Sequence, residues 1–177
     1  IYCGLLNHNI DSFGFAIIER NIQKNILRDK LLDLGIPPGP VYKKFKENEM
    51  VKLEDGRTLT SADFLKETVT TKKVCYCGDT TFSQNAVVLS EEADLLIHEA
   101  TFSVQGKEKA IKSFHSTVED AIKVARLAGV KKLILMHISP RYNDLSGSFD
   151  NYAQYKGIVI PDDPEIILAE DFMEIMV

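Results

Sequence analysis

Three short apolar runs in this chain end in residues able to hold a metal ion or move a proton. No other feature constrains the fold as tightly. Val74–Cys77 runs into Gly78-Asp79, Leu95-Leu96-Ile97 into His98-Glu99, and Leu133–Met136 into His137. Runs this short and this apolar read as buried strands rather than helices. Between the second and third lies Ser116-Thr117-Val118-Glu119, an S-x-x-E capping box that opens a helix. Its apolar face is Val118, Ala121, Ile122 and Ala125, at i, i+3, i+4 and i+7, and Gly129 stands where a C′ glycine belongs. Ala86–Leu89 predicts one more helical turn, and Ile166–Ala169 one more strand. Alternating strand and helix predicts an α/β layer.

The N-terminal part reads differently. Ser12–Glu19 is aromatic and β-branched and predicts a strand, which the polar residues Asn21–Lys24 are expected to break. Ile26, Leu27, Lys30, Leu31 and Leu34 follow at helical spacing, with Gly35 as the stop. Ile36-Pro37-Pro38-Gly39-Pro40 is a stiff elbow, excluded from helix interiors and central strands. Met50–Leu53 and Thr58–Thr60 flank Asp55-Gly56 and predict a hairpin. Residues 21–71 therefore form an excursion from the α/β core. At 177 residues the chain is one domain with an appendage.

Composition narrows the function. Hydrophobic residues make up 45% and charged residues 27%, a globular balance, and no apolar run reaches the roughly 18 residues of a membrane span. The start, Ile1-Tyr2-Cys3-Gly4, is neither a methionine nor a signal peptide. A net charge of −5 excludes a general nucleic-acid binder working by bulk electrostatics, so any such role needs a local basic patch or metal ions. Three cysteines give no disulfide framework and fit a reducing cytoplasm; Cys75 and Cys77 share one strand face and read as two small buried hydrophobes.

The chain holds four histidines: His8, His98, His115 and His137. A single strand-end histidine is ordinarily structural. Here three strand ends carry such groups, and His115 sits just ahead of the capping box. In α/β sheets, residues past the carboxyl ends of strands line the ligand crevice. Imidazole and carboxylate are zinc ligands, and an aspartate can bridge two metals. Gly78 lets the backbone turn sharply and approach closely at Asp79. The G-x-S-x-G elbow and the P-loop are both absent, which leaves metal-assisted hydrolysis.

These residues also carry a family resemblance. Gly78-Asp79-Thr80, Ala93 to Phe102 (ADLLIHEATF), His115-Ser116-Thr117 and His137-Ile138-Ser139-Pro140-Arg141-Tyr142 resemble ribonuclease Z, the tRNA 3′-processing endonucleases of metallo-β-lactamase fold. His8 ahead of Ser12-Phe13-Gly14-Phe15 resembles the family's metal-binding histidine before its S-[FY]-G-[FY] strand. Gly35–Pro40 and Val51–Arg57 resemble its tRNA-clamping arm and the stretch that follows. The resemblance implies an αββα sandwich, of which 1–177 is the C-terminal part and 21–71 the projecting arm. It implies two zinc ions, with His8, Asp79 and His137 as ligands and Asp79 bridging. It implies that His115 serves the leaving 3′ oxygen, that Glu99 orients His115, and that His98 packs. Arg141, Lys43, Lys44, Lys46, Gly39 and Pro40 would grip precursor tRNA, in a cytoplasmic homodimer. An apolar sheet face is expected to lie open to the other half of the fold.

The H-x-H-x-D-H motif that supplies the family's remaining ligands and its general-base aspartate is absent. The expectation is that these 177 residues form part of a longer enzyme, bind zinc weakly and are inactive alone. Two alternatives remain: a related phosphodiesterase of the same fold, and a non-catalytic tRNA-binding remnant.

Overall fold

The structure, a computed structural model, describes residues 1–139 and 164–177. Arg141, expected at the substrate phosphate, lies outside the described residues. Two compact units are present, Ile1–Glu19 with Lys72–Val177, and Arg20–Thr71.

The first unit is built on a six-stranded sheet of order β1-β2-β5-β6-β7-β8. Its strands are β1 (Tyr2–Leu5), β2 (Phe13–Ile26), β5 (Leu65–Cys77), β6 (Leu95–Glu99), β7 (Lys132–Met136) and β8 (Glu165–Leu168). β1 and β2 pair antiparallel; β5 through β8 pair parallel. Residues of one sheet face, Ala16, Cys75, Cys77, Leu96, Leu133, Leu135, Ile166 and Leu168, join one buried cluster with the helices α3 (Gln84–Ser90) and α5 (Val118–Leu127). All four residues expected on the apolar face of α5 are in it. Gly4 and Gly14 sit opposite each other in the β1–β2 pair, and a Cβ at either would come within 3.0 Å of Leu89. The alternate face is apolar but open: Phe13, Phe15, Ile17 and Tyr76 keep 40–50% of their surface exposed.

Cys75 and Cys77 are fully buried, and burial pushes the Cys77 thiol up to about 12. Both behave as packing residues. The α5 cap lies one residue beyond the expected position. Thr117 is the N-cap; its Oγ1 accepts from the Asp120 N–H at 3.3 Å, and Asp120 accepts from the Thr117 N–H at 3.0 Å. Ser116 is unavailable because its hydroxyl donates to the Thr80 carbonyl at 2.6 Å.

The second unit contains α1 (Arg28–Asp33), α2 (Val41–Glu47) and the hairpin β3 (Met50–Lys52)–β4 (Thr58–Thr60). Its core is Leu31, Ile36, Phe45, Val51 and Phe64, with the Phe45 and Phe64 rings edge to face at 5.5 Å. Gly35 and Gly56 take the positive φ that their turns require, +75° and +89°. One expectation is corrected. β2 does not break at Asn21–Lys24 but continues to Ile26. Residues 20–25 are exposed, so pairing with β5, not face alternation, holds that stretch extended. Val41–Glu47, carrying the lysine cluster, is a helix entered from Pro40, whose φ of −55° suits a helix start.

The ends of the parallel strands opposite the histidines are tied by Asp94. Its carboxylate accepts from the Lys73 N–H at 2.8 Å and from Lys131 Nζ at 2.7 Å, joining β5 at Lys73 to the residues just ahead of β6 and β7. The Lys131 ammonium and the Lys73 N–H hold the Asp94 carboxyl below its ordinary value. A depressed folded-state value means stability present at neutral pH and lost as pH falls through that value. Asp94→Asn should cost about 1 kcal/mol at pH 7. Urea midpoints should show the difference from wild type closing below about pH 4, near the ordinary carboxylate value.

Candidate metal and phosphodiester site

The candidate site is assembled where β5, β6 and β7 end. Asp79 follows β5 through Gly78, and a Cβ at Gly78 would meet Ser12 Oγ at 3.0 Å and the Phe13 carbonyl at 3.2 Å. The glycine lets the β1–β2 loop lie against this turn. That loop is anchored by the Asn7 N–H on Thr80 Oγ1 at 3.1 Å and by the Thr81 N–H on the Asn7 carbonyl at 2.9 Å, which brings His8 beside Asp79. His98 and Glu99 are the last two residues of β6 rather than residues beyond it. Strand alternation sends them to opposite faces.

Glu99 is fully buried and accepts four hydrogen bonds. Oε1 takes the Thr80 N–H at 3.0 Å and His115 Nδ1 at 2.8 Å; Oε2 takes the Thr101 N–H at 3.0 Å and the Thr101 hydroxyl at 2.8 Å. Four donors occupy the roughly four lone-pair positions of a carboxylate. His115 is thereby fixed with its proton on Nδ1, which leaves Nε2 as the nitrogen that Glu99 does not engage.

His115 is the centre of a row of imidazoles. His8 lies edge-on to it at 5.1 Å between ring centroids, and His137 stacks on it at 5.3 Å. His8 Nδ1 donates to the Phe114 carbonyl at 2.7 Å. Phe114 and His137 both hold left-handed backbone, φ 57° and 56°. For non-glycine residues that conformation costs on the order of 1–3 kcal/mol. It turns the Phe114 carbonyl toward His8 and sends the chain out of β7 at His137.

Two sets of donor atoms lie within 4.8 Å of one another: His8, Asp79 and His115, and Glu99, His115 and His137. Asp79 Oδ1 is 3.5 Å from His137 Nδ1. The expected trio of His8, Asp79 and His137 is therefore gathered around His115 rather than clear of it. Imidazole nitrogens with a carboxylate are a donor set that suits zinc. His98 stands apart. It is buried, donates from Nδ1 to the Glu99 carbonyl at 2.7 Å, and desolvation pushes it below the ordinary histidine value.

Two participants were missed in the sequence reading, Thr80 and Thr101. The signal for Thr101 was its place two residues past Glu99; nothing in the sequence marks the Thr80 N–H. The remaining expected substrate residues are on the second unit. Lys43, Lys44 and Lys46 are exposed on α2, with Lys43 3.6 Å from Glu47. Gly39 and Pro40 line a cleft of about 550 Å³ with Pro37, Lys44, Lys52 and Arg57.

Removing one partner from a saturated buried group strands the others, at about 1–3 kcal/mol each. Glu99→Ala should lower stability by about 3 kcal/mol, whereas Asp79→Ala, at a side chain 40% exposed, should stay within about 1 kcal/mol. Chemical denaturation of the two variants measures this.

The chain is similar to known proteins over nearly its whole length. The chain is 45% identical over 175 residues to a ribonuclease Z of Rippkaea orientalis, covering 98% of this chain and 54% of that protein. It is 43% identical over 137 residues to a ribonuclease Z of Bacillus cereus, covering 77% and 45%. It thus spans about half the length of the curated relatives it matches. The crystal structure of human tRNase Z, short form, superposes with a TM-score of 0.51 at 26% identity, covering 97% of this chain and 40% of that one. The resemblance to ribonuclease Z read from the sequence is borne out, as is the metallo-β-lactamase fold. A model of the beta-lactamase superfamily domain matches residues 47–138, just over half the chain. The chain belongs to the beta-lactamase superfamily.

Proposed function

We propose that this chain supplies the proton-handling and part of the metal-binding machinery of a zinc-dependent endoribonuclease that removes 3′ trailers from tRNA precursors. The observation that carries the reading is the Glu99–His115 pair at 2.8 Å, flanked by His8, Asp79 and His137. Likeness to ribonucleases Z at 42–45% identity supports the substrate class.

In this reading His8, Asp79 and His137 would hold zinc. Zinc, when bound, supplies Lewis-acid stabilisation of the phosphodiester and activation of water. The chain's own part is positional. Glu99 accepts from Nδ1 and stops the His115 ring from turning, so Nε2, once it has taken up a proton to give the imidazolium beside the Glu99 carboxylate, is the atom that delivers that proton to the leaving 3′ oxygen. Arg141 belongs to this proposal as a phosphate contact, because its planar fork pairs with two phosphate oxygens. The homodimer and cytoplasmic setting of the family belong to it as well.

Residues 20–71 are proposed as the RNA-gripping arm. That unit carries ten Lys and Arg against eight Asp and Glu, while the rest of the chain carries eleven against eighteen. A locally positive unit in an acidic chain is effective because screening limits distant charges to about 10 Å. Changing Lys43, Lys44 and Lys46 together to alanine should weaken precursor-tRNA binding and reduce the salt slope of log K by about 2 to 3, in anisotropy titrations.

The function is tested by a chimera in which this chain replaces the matching stretch of the Rippkaea orientalis ribonuclease Z. The chimera should cut a 3′-extended precursor tRNA in a zinc-dependent way, and the 177-residue chain alone should not. His115→Ala in the chimera should lower the rate about 10²–10⁴-fold with RNA binding retained. Full cleavage by that variant, or a folded, zinc-loaded chimera that never cuts, would sink the reading. Loss of residues 20–71 should end tRNA cleavage but spare a small phosphodiester. If both persist, the related phosphodiesterase is favoured.

A further inference from the structure

We propose that Thr101 is a positioning residue for His137. Its hydroxyl fixes the His137 proton on Nδ1 and leaves Nε2 as the lone-pair nitrogen, through the same carboxylate that holds His115. Thr101 Oγ1 lies 2.8 Å from Glu99 Oε2 and 2.8 Å from His137 Nδ1. A hydroxyl has one proton to give. Were it given to His137, Oγ1 and Oε2 would face each other at 2.8 Å with no proton between them, because the Glu99 oxygens already accept from Thr80, His115 and the Thr101 N–H. The hydroxyl therefore donates to Glu99 and accepts from His137. Asp79 Oδ1, 3.5 Å from the same Nδ1, is also an acceptor and favours an N–H there.

Thr101 is held for this task from both sides. Its N–H is on Glu99, and its carbonyl accepts the Ser139 N–H at 3.2 Å, two residues past His137. Only 8% of its surface is exposed, so water does not compete for the hydroxyl. Its 3.3 Å approach to His115 Nδ1 adds no competing donation, since that N–H is directed to Glu99 at 2.8 Å. One carboxylate thus sets two imidazoles: His115 directly on Oε1, and His137 through Thr101 on Oε2. With His8 on the Phe114 carbonyl, all three rings are anchored at Nδ1 and all three offer Nε2. A serine can do what Thr101 does; a valine has the same shape and no hydroxyl.

The assignment of the proton stands on this geometry alone. Its consequence, an Nε2 ready for a metal, rests on the reading given under Proposed function. The test is the tautomer itself, read from long-range 1H–15N spectra of the 15N-labelled chain, freed of metal with EDTA, at a pH where the imidazoles are neutral. The His137 signals are identified by their loss in His137→Gln. Wild type is expected to show His137 with a protonated Nδ1 and an unprotonated Nε2. Thr101→Val is expected to move it toward the Nε2–H form, and Thr101→Ser to keep the wild-type pattern. A wild-type His137 already in the Nε2–H form overturns the proposal, even if the valine variant does not fold. So does a folded valine variant whose pattern is unchanged. If the tautomer is as expected but the chimera does not cut RNA, the nuclease reading fails and this assignment remains; the converse removes this assignment alone.

Discussion

The site hangs on one buried carboxylate. Glu99 has no contact with solvent, and an ion so placed is tolerated only when its partners are complete. Its four donors come from three separate segments: the turn after β5, the residues after β6, and the approach to α5. The parallel register sets Glu99 opposite Met136, and the Ala100 N–H donates to the Met136 carbonyl at 2.9 Å, so His137 must emerge alongside. The carboxylate is thus both a structural knot and the group that orients the His115 ring. A residue in both roles leaves little freedom to the histidines around it.

That rigidity is reinforced by backbone cost. Phe114 and His137 occupy left-handed conformations without being glycine. Each is held by its surroundings: Phe114 by capping α4 (Lys107–Ser113) through its N–H, and by the bond from His8 to its carbonyl; His137 by Thr101. Strain that persists only because neighbours enforce it is typical of preorganised sites. The preorganisation is present in the side chains themselves, since every ring is tied at Nδ1 before any ligand arrives.

How much of this was legible in the sequence follows from the range of the interactions. The strands ending at Cys77 and Met136, the strand through Leu95–Ile97, the helix Val118–Leu127 and the hairpin around Asp55-Gly56 were readable, because apolar periodicity and turn chemistry are local. The cap moved from Ser116 to Thr117 because the Ser116 hydroxyl is used by Thr80, 36 residues away, and a local motif does not report such competition. Asn21–Lys24 stays in a strand because a distant strand pairs with it, which overrides its weak propensity. The helix Val41–Glu47 was hidden by the prolines before it, although Pro40 in fact starts it. The histidines were found by their strand-end positions. Their proton placement was not, because it depends on Thr101 and on the Phe114 carbonyl, whose proximity only the folded chain creates.

The open sheet face bears on the same question. Phe13, Phe15, Ile17 and Tyr76 are large apolar side chains on the face opposite α3 and α5, each 40–50% exposed. Scattered apolar residues at a surface need no explanation, but these four lie on neighbouring strands of one sheet. The strands that carry them also deliver His8 and Asp79: the β1–β2 loop holds the first, and the end of β5 the second. The relatives run to about twice this length, and any apolar contact on this face would bear on the strands that carry two of the proposed metal ligands. Burying the face would stiffen those strands. The fixed tautomers make each ring a ready donor, but the position of His8 relative to Asp79 is set by β1 and β2, the least buried strands of the sheet. Apolar contact on that face would therefore hold the strands that set the spacing of His8 and Asp79.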